Sequence, residues 1–444
     1  MEADLVYFDS IIDSKLLASE ILVPFTDVRP HEVKELLRQA PVVLVTDAKK
    51  VIEGIVNGGV AIFHDGSTYL LDLYSPESRS VQQSETETVI TGPHDSFVES
   101  LTTNLSLIRR RIKSSHLKII PCSVGEISKS KVYILYIQNI ANPEHVEEMR
   151  KRVQRIETDG ILDGSILTQY LEDSPNSVFP QFMITERPDV AASKLMSGRV
   201  LTIMENSPIV VSAPAAFFEF FASPDDYYQR WALGTALRML RFMALLITVT
   251  FTAMYVSVTT FHYEMVPEAL LRTLAESRSR VPFPPVYEAL LLETMIELLR
   301  EAGARLPTKI GQTIGIVGGI VIGQAAVQAG LTSNILIIAV ATSAIASFVI
   351  PSYMMSASIR LIRFGLIILA GTWGNMGLVM GIALIIIHLS GLTSLKASYM
   401  IPLAPMKPSD WKDVFIRAPF SMLTKRPTQV KTPNSTRQTD KKQE

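Results

Sequence analysis

Residues 310–330 constrain this chain more than any other stretch. They carry no charged side chain, and about 20 such residues are what a helix needs to cross the hydrocarbon core of a bilayer. Glycine recurs at every fourth position, so the glycines fall along one face of the helix. Small residues at this spacing let a second helix approach closely. The stretch therefore predicts a membrane-spanning helix whose packing face is formed by Gly311, Gly315, Gly319 and Gly323.

The same stretch carries polar amides, which inside a membrane need either water or a protein partner. Gln312, Gln324 and Gln328 lie on a face beside the glycines. One interpretation is a water-filled conduit, in which apolar rings gate by expelling water and the amides contact hydrated ions. The other is ordinary helix packing, since glycine is common in membrane helices. For a conduit, the candidate pore-lining residues are Ile316, Ile320, Gln324, Val327 and Gln328.

An amphipathic segment at residues 286–305 precedes this stretch. It alternates Leu, Met and Ile with Glu293, Glu297, Arg300 and Glu301 at helical spacing. Charged side chains are costly inside lipid, so we expect this helix to lie at the membrane interface or to re-enter, rather than to span. If a conduit exists, Glu293 and Glu297 are candidates for a vestibule that concentrates cations at its mouth.

Composition indicates a soluble part joined to a membrane part. The 444 residues are 48% hydrophobic and 19% charged, too apolar for an ordinary soluble protein and too charged for one embedded throughout. A formal net charge of −1 argues against nucleic acid as a partner. The single Cys122 excludes an internal disulfide and a multi-cysteine metal site. No signal-peptide pattern opens the sequence, so we expect the soluble part to stay in the cytoplasm.

Residues 1–230 predict a soluble α/β domain. A helix, a glycine stop, a strand, a tight turn and a second strand occur at 46–73 and again at 188–212. The doubling favours two related subdomains that meet at about residues 90–115, although such a string is common enough to recur by chance.

Residues 231–391 predict a helical membrane domain with four spans, at about 242–261, 310–330, 335–355 and 364–389. Four spans leave both chain ends on one side, and Arg residues before the first span place that side in the cytoplasm. This arrangement puts Arg360 and Arg363 on the opposite side. Counting 286–305 as a fifth span would return Arg360 and Arg363 to the cytoplasmic side, but it would place the basic tail on the opposite side.

The tail, residues 392–444, predicts a basic and largely disordered cytoplasmic segment. It holds ten Lys and Arg side chains against four Asp and Glu, a net charge of +6. From Pro427 onward it has almost no large apolar side chain with which to form a core.

Common catalytic signatures are absent from the sequence. There is no nucleotide-binding glycine loop, no paired-histidine zinc motif and no nucleophile elbow, and the histidines lack metal-ligand spacing. We therefore expect neither an enzyme nor a bound cofactor.

Several motifs resemble those of the A subunits of GerA-type spore germination receptors. The most specific is the succession VPFPPVYEALLLETMIELLREAG (281–303) and GQTIGIVGGIVIGQAAVQAG (311–330). GPHDSFVESLTTNLSLIRRRI (92–112), FPQFMITERPD (179–189) and SPDDYYQRW (223–231) support it in the same order. The resemblance covers about residues 90–390, and family members usually carry a longer leader before the segment that begins here near Leu5.

The resemblance implies a function that composition cannot supply. It implies a multi-pass protein of the endospore inner membrane that acts with a transporter-like B subunit and a lipoprotein C subunit when nutrients trigger germination. A subunits of this family are similar to homo-oligomeric, nutrient-gated channels for monovalent cations in the lipid bilayer, with nutrient recognition mainly in the B subunit. The alternatives are a paralogous accessory channel that amplifies ion release, a transporter, and a passive membrane scaffold.

Overall fold

The computed structural model describes residues 4–12, 14–25, 33, 37, 42–74, 87, 89–306, 319 and 323–438. The strands are β1 (Asp4–Val6), β2 (Val43–Leu44), β3 (Gly59–His64), β4 (Ser67–Asp72), β5 (Leu117–Val124), β6 (Ser130–Ile137), β7 (Met183–Thr185), β8 (Val200–Met204), β9 (Val210–Ala213), β10 (Thr393–Ser394) and β11 (Ala397–Ser398). The longer helices are α1 (Ala48–Val56), α2 (Leu101–Arg111), α3 (Pro143–Gln154), α4 (Gly164–Leu171), α5 (Pro188–Met196), α6 (Trp231–Phe261), α7 (Glu268–Arg278), α8 (Pro285–Arg305), α9 (Asn334–Phe348) and α10 (Tyr353–Gly391). Short helical segments lie at Ser14–Leu17, Ala18–Leu22, Val23–Phe25, Asp225–Tyr228, 323–328 and Trp411–Val414.

The first sheet is antiparallel, with strand order β1-β3-β4-β2. A two-residue turn at Asp65 and Gly66, both with positive φ, joins β3 to β4, as is common in tight hairpins. Val60, Ile62 and Leu71 are buried in the core of this sheet. The helix, glycine stop and hairpin predicted at 46–73 are therefore present.

The second sheet is also antiparallel, with strand order β5-β6-β8-β9-β7. Successive side chains of a strand face opposite sides, and β6 buries Ile134 in one core and Leu135 in the other. Met149 of α3 and Leu167 of α4 share the core of Ile134, whereas Leu195 of α5 shares that of Leu135. Helices thus cover both faces, which confirms the predicted α/β class for the soluble part.

The boundary between the two sheets lies earlier than predicted. Phe97, Leu101 and Ile108 are buried in the core of the second sheet, so residues 97–111 belong to that sheet and not to a boundary at 90–115.

The helical bundle contains two helices, α6 and α10, that are long and apolar enough to cross a membrane, among the residues that the structure describes. The predicted span 242–261 lies inside α6. The predicted span 335–355 is shorter than expected, because α9 ends at Phe348 and Pro351 separates it from α10.

Helix α10 reverses direction at Gly374. This residue has φ 60° and ψ −143°, a conformation that glycine reaches without steric cost because it lacks a Cβ. Ser358 hydrogen-bonds to the Val178 carbonyl, and His388 lies 2.9 Å from the hydroxyl of the adjacent Ser177. In a straight helix, residues 358 and 388 would be separated by about 45 Å. Both therefore lie at the same end of the bundle.

The reversal makes α10 a helical hairpin of two arms, α10a (353–373) and α10b (375–391). Gly381 gives the arms close contact, since a Cβ there would lie 2.5 Å from the Leu366 side chain. The single span predicted at 364–389 is thus corrected to parts of two antiparallel arms. The glycine-rich sequence produces a turn rather than the expected kink.

The two ends of the bundle can now be defined. The proximal end lies beside the soluble domain, at Ser358 and His388, and the distal end lies at Gly374. Helix α6 ends distally, because Phe261 packs on Gly374. Helix α8 begins distally, where Val286 packs on Gly371.

The remaining passes follow from the contacts at the helix ends. Helix α9 begins distally, with the Asn334 amide bonded to Ser277, and ends proximally, where Ser356 bonds to the Ser347 carbonyl. Gly330, which follows the undescribed residues, packs on the Arg280 carbonyl and therefore also lies at the distal end. The described helices make five passes between the ends of the bundle, whereas the sequence predicts three spans over the same residues, because α8 lies in the bundle and α10 counts twice.

The tail is ordered as far as residue 438, unlike the predicted disorder. Its hairpin of β10 and β11 is held by Asp173, which accepts hydrogen bonds from the Leu395 and Lys396 amides at 2.9 Å. Beyond Pro427, Val430 is fully buried and Thr432 donates to the Ile140 carbonyl. Side-chain and main-chain groups of the soluble domain thus supply hydrogen-bond partners for the described part of the tail.

A disulfide cross-link tests the hairpin directly. In a variant with Cys122→Ser, Leu366→Cys and Gly381→Cys, oxidation is expected to join the two arms, because these positions are in contact. The readout is a mobility shift on a gel after cleavage between the arms, with Leu366→Cys and Ile386→Cys as the mismatched control. Equal cross-linking of both pairs, or of neither, would contradict the hairpin.

Candidate membrane conduit

The predicted conduit helix is only partly within the described residues. Gly311, Gly315, Ile316 and Ile320 lie outside them, so their predicted roles in packing and pore lining stay predictions. Of the candidates that the structure places, Gln324 and Gln328 are exposed, and Val327 is half-buried between them. The two amides are four residues apart within one helical segment and therefore lie on the same face.

The described part of the glycine face has no neighbour among the residues that the structure describes. A Cβ added to Gly319 or to Gly323 would meet no described atom within 4 Å. The packing contact predicted for these glycines is therefore not supplied by the part of this chain that the structure describes.

A buried ion pair lies deeper in the bundle. The Glu293 carboxylate of α8 pairs with the Arg363 guanidinium of α10a, and both side chains are fully inaccessible. Thr252 of α6 donates to Glu293 at 3.0 Å, and Arg363 donates to Ser343 of α9 at 2.8 Å. The pair thus draws one group from each of four helices, about 12 Å from the distal start of α8.

The network continues toward the proximal end. Glu297, one turn further along α8, contacts Arg360 at 3.1 Å and Arg363 at 3.7 Å. Arg300 donates to Ser347 at 3.0 Å and stacks over the Phe348 ring at 4.2 Å. Two carboxylates and three guanidinium groups therefore form one connected cluster.

This cluster changes the interpretation of Glu293 and Glu297. The vestibule prediction assumed carboxylates free to attract cations, but both are paired, and the arginines outnumber them. In this conformation, neither carboxylate is an open cation site. The expectation that α8 lies at the membrane interface also rested on the high cost of burying unpaired charges. Because the charges are paired, most of that cost is removed and α8 can lie inside the bundle.

A second cluster of polar side chains lies at the distal end of the bundle. Glu288 pairs with Arg278 at 3.1 Å and accepts from the Ser333 amide at 3.2 Å. The Ser333 hydroxyl lies 3.0 Å from that of Tyr255 on α6. These contacts fix the starts of α8 and α9 to α6 and to α7, so the helices are tied together at both ends.

The proximal end is tied to the soluble domain through Asp226. This fully buried carboxylate contacts Arg238 at 3.2 Å and Arg241 at 2.7 Å on α6. Asp413 of the tail accepts from Tyr227 at 2.8 Å, and burial raises the pKa of the Asp413 carboxyl above its usual range. These contacts hold the start of α6 directly to the segment that leaves the soluble domain.

Sequence analysis missed the arginine partners in this network. The four-span prediction places Arg360 and Arg363 between two spans, on the side opposite the cytoplasm. One signal was available: Glu293 and Glu297 are opposite in charge to Arg360 and Arg363, and each pair lies on one face of its helix. Within the described residues, no group of three or more His, Cys, Asp or Glu side chains could hold a metal ion.

Comparison with known proteins agrees with the sequence motifs. Residues 1–429 match the family described as Bacillus/Clostridium GerA spore germination protein. Spore germination protein GerQA of Bacillus cereus is 42% identical over 427 residues, which cover 95% of this chain and 86% of that protein. The uncharacterized membrane protein YfkQ of Bacillus subtilis is 37% identical over 432 residues, covering 95% and 84%.

A solved structure is also similar in sequence. The N-terminal domain of the A subunit of the Bacillus megaterium spore germinant receptor GerK3 is 27% identical, with a TM-score of 0.37, and the match covers 48% of this chain and 83% of that one. The family match spans nearly the whole chain, and the relatives align over most of their own length. The chain belongs to the GerA family of spore germination proteins.

Proposed function

We propose that this protein is the A subunit of a nutrient-responsive germination receptor in the spore inner membrane, and that several copies assemble into a gated ion channel. The proposal rests on family membership together with the glutamine and glycine faces of the 323–330 segment. We also propose that it acts without catalysing a reaction and that monovalent cations are the permeating species.

The observation that carries the channel proposal is the open glycine face. Gly319 and Gly323 have no neighbour within 4 Å in the described chain, while Gln324 and Gln328 are exposed. A ring of copies would give the glycines a helix to pack on and would turn the amides toward a shared axis. In a monomer surrounded by lipid, the same amides would be costly to expose.

The direction of insertion follows from the distribution of charge. Arg238, Arg241, Arg360 and Arg363 lie in the proximal half of the bundle, and the tail with its net charge of +6 leaves from the same end. The distal connection 262–284 has three arginines balanced by three glutamates. The positive-inside rule then favours a proximal end in the cytoplasm, which is the core in a spore. The five described passes together with the predicted span 310–330 put both termini there.

The soluble domain gives the receptor a surface for its other subunits. By family resemblance, we propose a transporter-like B subunit and a lipoprotein C subunit as partners. A signal that moves the soluble domain would reach the channel helices through Asp226, Arg238 and Arg241.

Gly323→Leu tests the assembly on which this function depends. Leucine is expected to keep two copies apart, so that chemical cross-linking in membranes yields monomers in place of oligomers. Gly365→Leu is the matched control, since Gly365 also has no neighbour within 4 Å but lies off the glycine face. Unchanged oligomers in Gly323→Leu would contradict the proposal.

A further inference from the structure

We propose that residues 403–422 of the tail form a lipid-docking surface that lies in the anionic headgroup region of the proximal leaflet. It rests on the membrane placement of α6 under the proposed function. The surface was not predicted, because the sequence indicates a largely disordered tail. Three observations support it: its position beside α6, its exposed apolar side chains and its unpaired lysines.

The position is fixed by aromatic contacts with α6. Phe415 packs on Phe242, with ring centroids 5.4 Å apart, and Trp411 packs edge-on against Phe415 at 5.9 Å. Phe242 is the first residue of the span predicted from the sequence. The Arg417 carbonyl also lies 3.2 Å from the Thr235 hydroxyl, one to two turns nearer the start of α6. Residues 411–417 therefore lie at the depth where α6 enters the apolar layer.

Exposed apolar side chains are concentrated in this segment. Residues 403–422 expose six large apolar side chains, whereas the whole of residues 89–222 exposes seven. A density this high on one segment is typical of a contact surface rather than of scattered surface residues. Trp and Phe at the end of a membrane helix favour the headgroup region. The six side chains are Leu403, Met406, Trp411, Ile416, Phe420 and Met422.

The charge of the segment identifies the kind of lipid. Lys407 and Lys412 are exposed, and their ammonium groups have no hydrogen bond or ion pair with any residue that the structure describes. Lysine ammonium groups beside interfacial aromatic residues are attracted to anionic headgroups. The segment also follows closely on the proximal end of α10b, which ends at Gly391. Anionic phospholipid therefore fits both the apolar and the cationic parts of the surface.

A second copy of the chain is the main competing occupant. An interface between copies would bury the same apolar side chains, but it would not by itself provide acidic groups to pair with Lys407 and Lys412. The two occupants can be distinguished by quenching of Trp411 fluorescence. Brominated lipid reaches Trp411 if lipid covers the surface, but it does not if a second copy of the chain covers it.

Fluorescence quenching in vesicles tests the proposal on the full chain. The variant Trp231→Phe with Trp373→Phe leaves Trp411 as the single tryptophan, and Trp231→Phe with Trp411→Phe leaves Trp373 in the bundle as the membrane reference. A third variant lacks all three tryptophans and carries Ile127→Trp on the exposed β5–β6 turn as the aqueous reference. Each is placed in phosphatidylcholine vesicles with or without phosphatidylglycerol, using lipids brominated near the headgroup.

The expected result is a loss of roughly half of the Trp411 emission, since interfacial segments lie about 5–10 Å into the headgroup and acyl boundary, within reach of shallow bromines. Emission from the Ile127→Trp variant is expected to be unaffected by bromine. Phosphatidylglycerol should increase the quenching of Trp411, and Lys407→Gln with Lys412→Gln should abolish that increase. An increase that survives in the double glutamine variant, or no increase at all, would overturn the assignment to anionic headgroups.

Two other outcomes would overturn the lipid surface itself. Quenching of Trp411 by acrylamide but not by bromine would place it in water, and protection from both would place it against a second copy. In either case, quenching of Trp373 by bromine would show that the bundle is still in the membrane. Loss of quenching for both Trp373 and Trp411 would instead contradict the membrane placement on which the proposed function depends.

Discussion

Replacing Arg363 with methionine is expected to remove most of the folded protein from the membrane. The change leaves the Glu293 carboxyl group fully buried without its counter-ion, and among the described residues the Thr252 hydroxyl at 3.0 Å is its remaining hydrogen-bond partner. Breaking a buried ion pair on one side typically costs about 3–5 kcal/mol, which is a large part of the stability of an ordinary domain. The measurement is the melting temperature and the amount of purified protein in detergent, relative to the unchanged chain.

Two further variants separate the charge from the packing. Glu293→Gln combined with Arg363→Met removes both charges and is expected to recover most of the lost stability, because neutral replacement of a buried pair is often close to neutral. Arg272→Met breaks an exposed pair with Glu268 and is expected to change stability by at most about 1 kcal/mol. If Arg363→Met were as stable as Arg272→Met, the ion pair would not hold the four helices together.

Shrinking Val327 to alanine is expected to produce spores that release potassium without any nutrient. In the proposed channel, Val327 lies between the exposed Gln324 and Gln328 on the lumen side of each copy. A ring of large apolar side chains closes a pore by expelling water, and a smaller side chain both widens the ring and lowers the cost of wetting. Spores carrying the variant are therefore expected to leak, to germinate spontaneously or to fail to become dormant.

The control for Val327→Ala is an apolar residue that faces away from any pore. Ile345 of α9 is 66% exposed on the outside of the bundle, and Ile345→Ala is expected to cost at most about 1–3 kcal/mol of packing without a leak. The readout is potassium released from dormant spores in the absence of germinant. Background release from both variants would remove Val327 from the pore.

The topology shows where sequence reasoning succeeds and where it stops. Periodicity and glycine stops identified the hairpins at 59–72 and 200–213, because their local signals agree with the final fold. The reversal at Gly374 was not identified, since a glycine-rich break inside an apolar run predicts a kink and a turn equally well. The contacts of Ser358 and His388 with one loop of the soluble domain, which are not visible in the sequence, distinguish the two.

The misplaced arginines follow from the same missed turn. With four spans, Arg360 and Arg363 had to lie on the side opposite the basic tail, against the positive-inside rule. With a fifth span, the tail itself would violate that rule. Counting both α8 and the second arm of α10 places the arginines and the tail in the same half of the molecule. The proposed orientation keeps the positive-inside rule and changes the number of passes to which it is applied.

The order of the tail could not have been predicted from its composition. Residues 427–438 have little apolar surface, which ordinarily indicates disorder. Their hydrogen bonds go to groups that are distant in sequence, such as the Ile140 carbonyl bonded by Thr432. Partners of this kind are visible only once the soluble domain has folded.

Potassium flux through vesicles that contain this chain alone tests the channel most directly, because it removes the B and C subunits from the measurement. Purified protein is placed in potassium-loaded vesicles, and release is followed for the unchanged chain, Val327→Ala, Ile345→Ala and Gly323→Leu. The account predicts fast release for Val327→Ala, background release for Ile345→Ala, and background release when Gly323→Leu is added to Val327→Ala. Release from Val327→Ala no faster than from empty vesicles, with oligomers present, would contradict the claim that copies of this chain form the ion path.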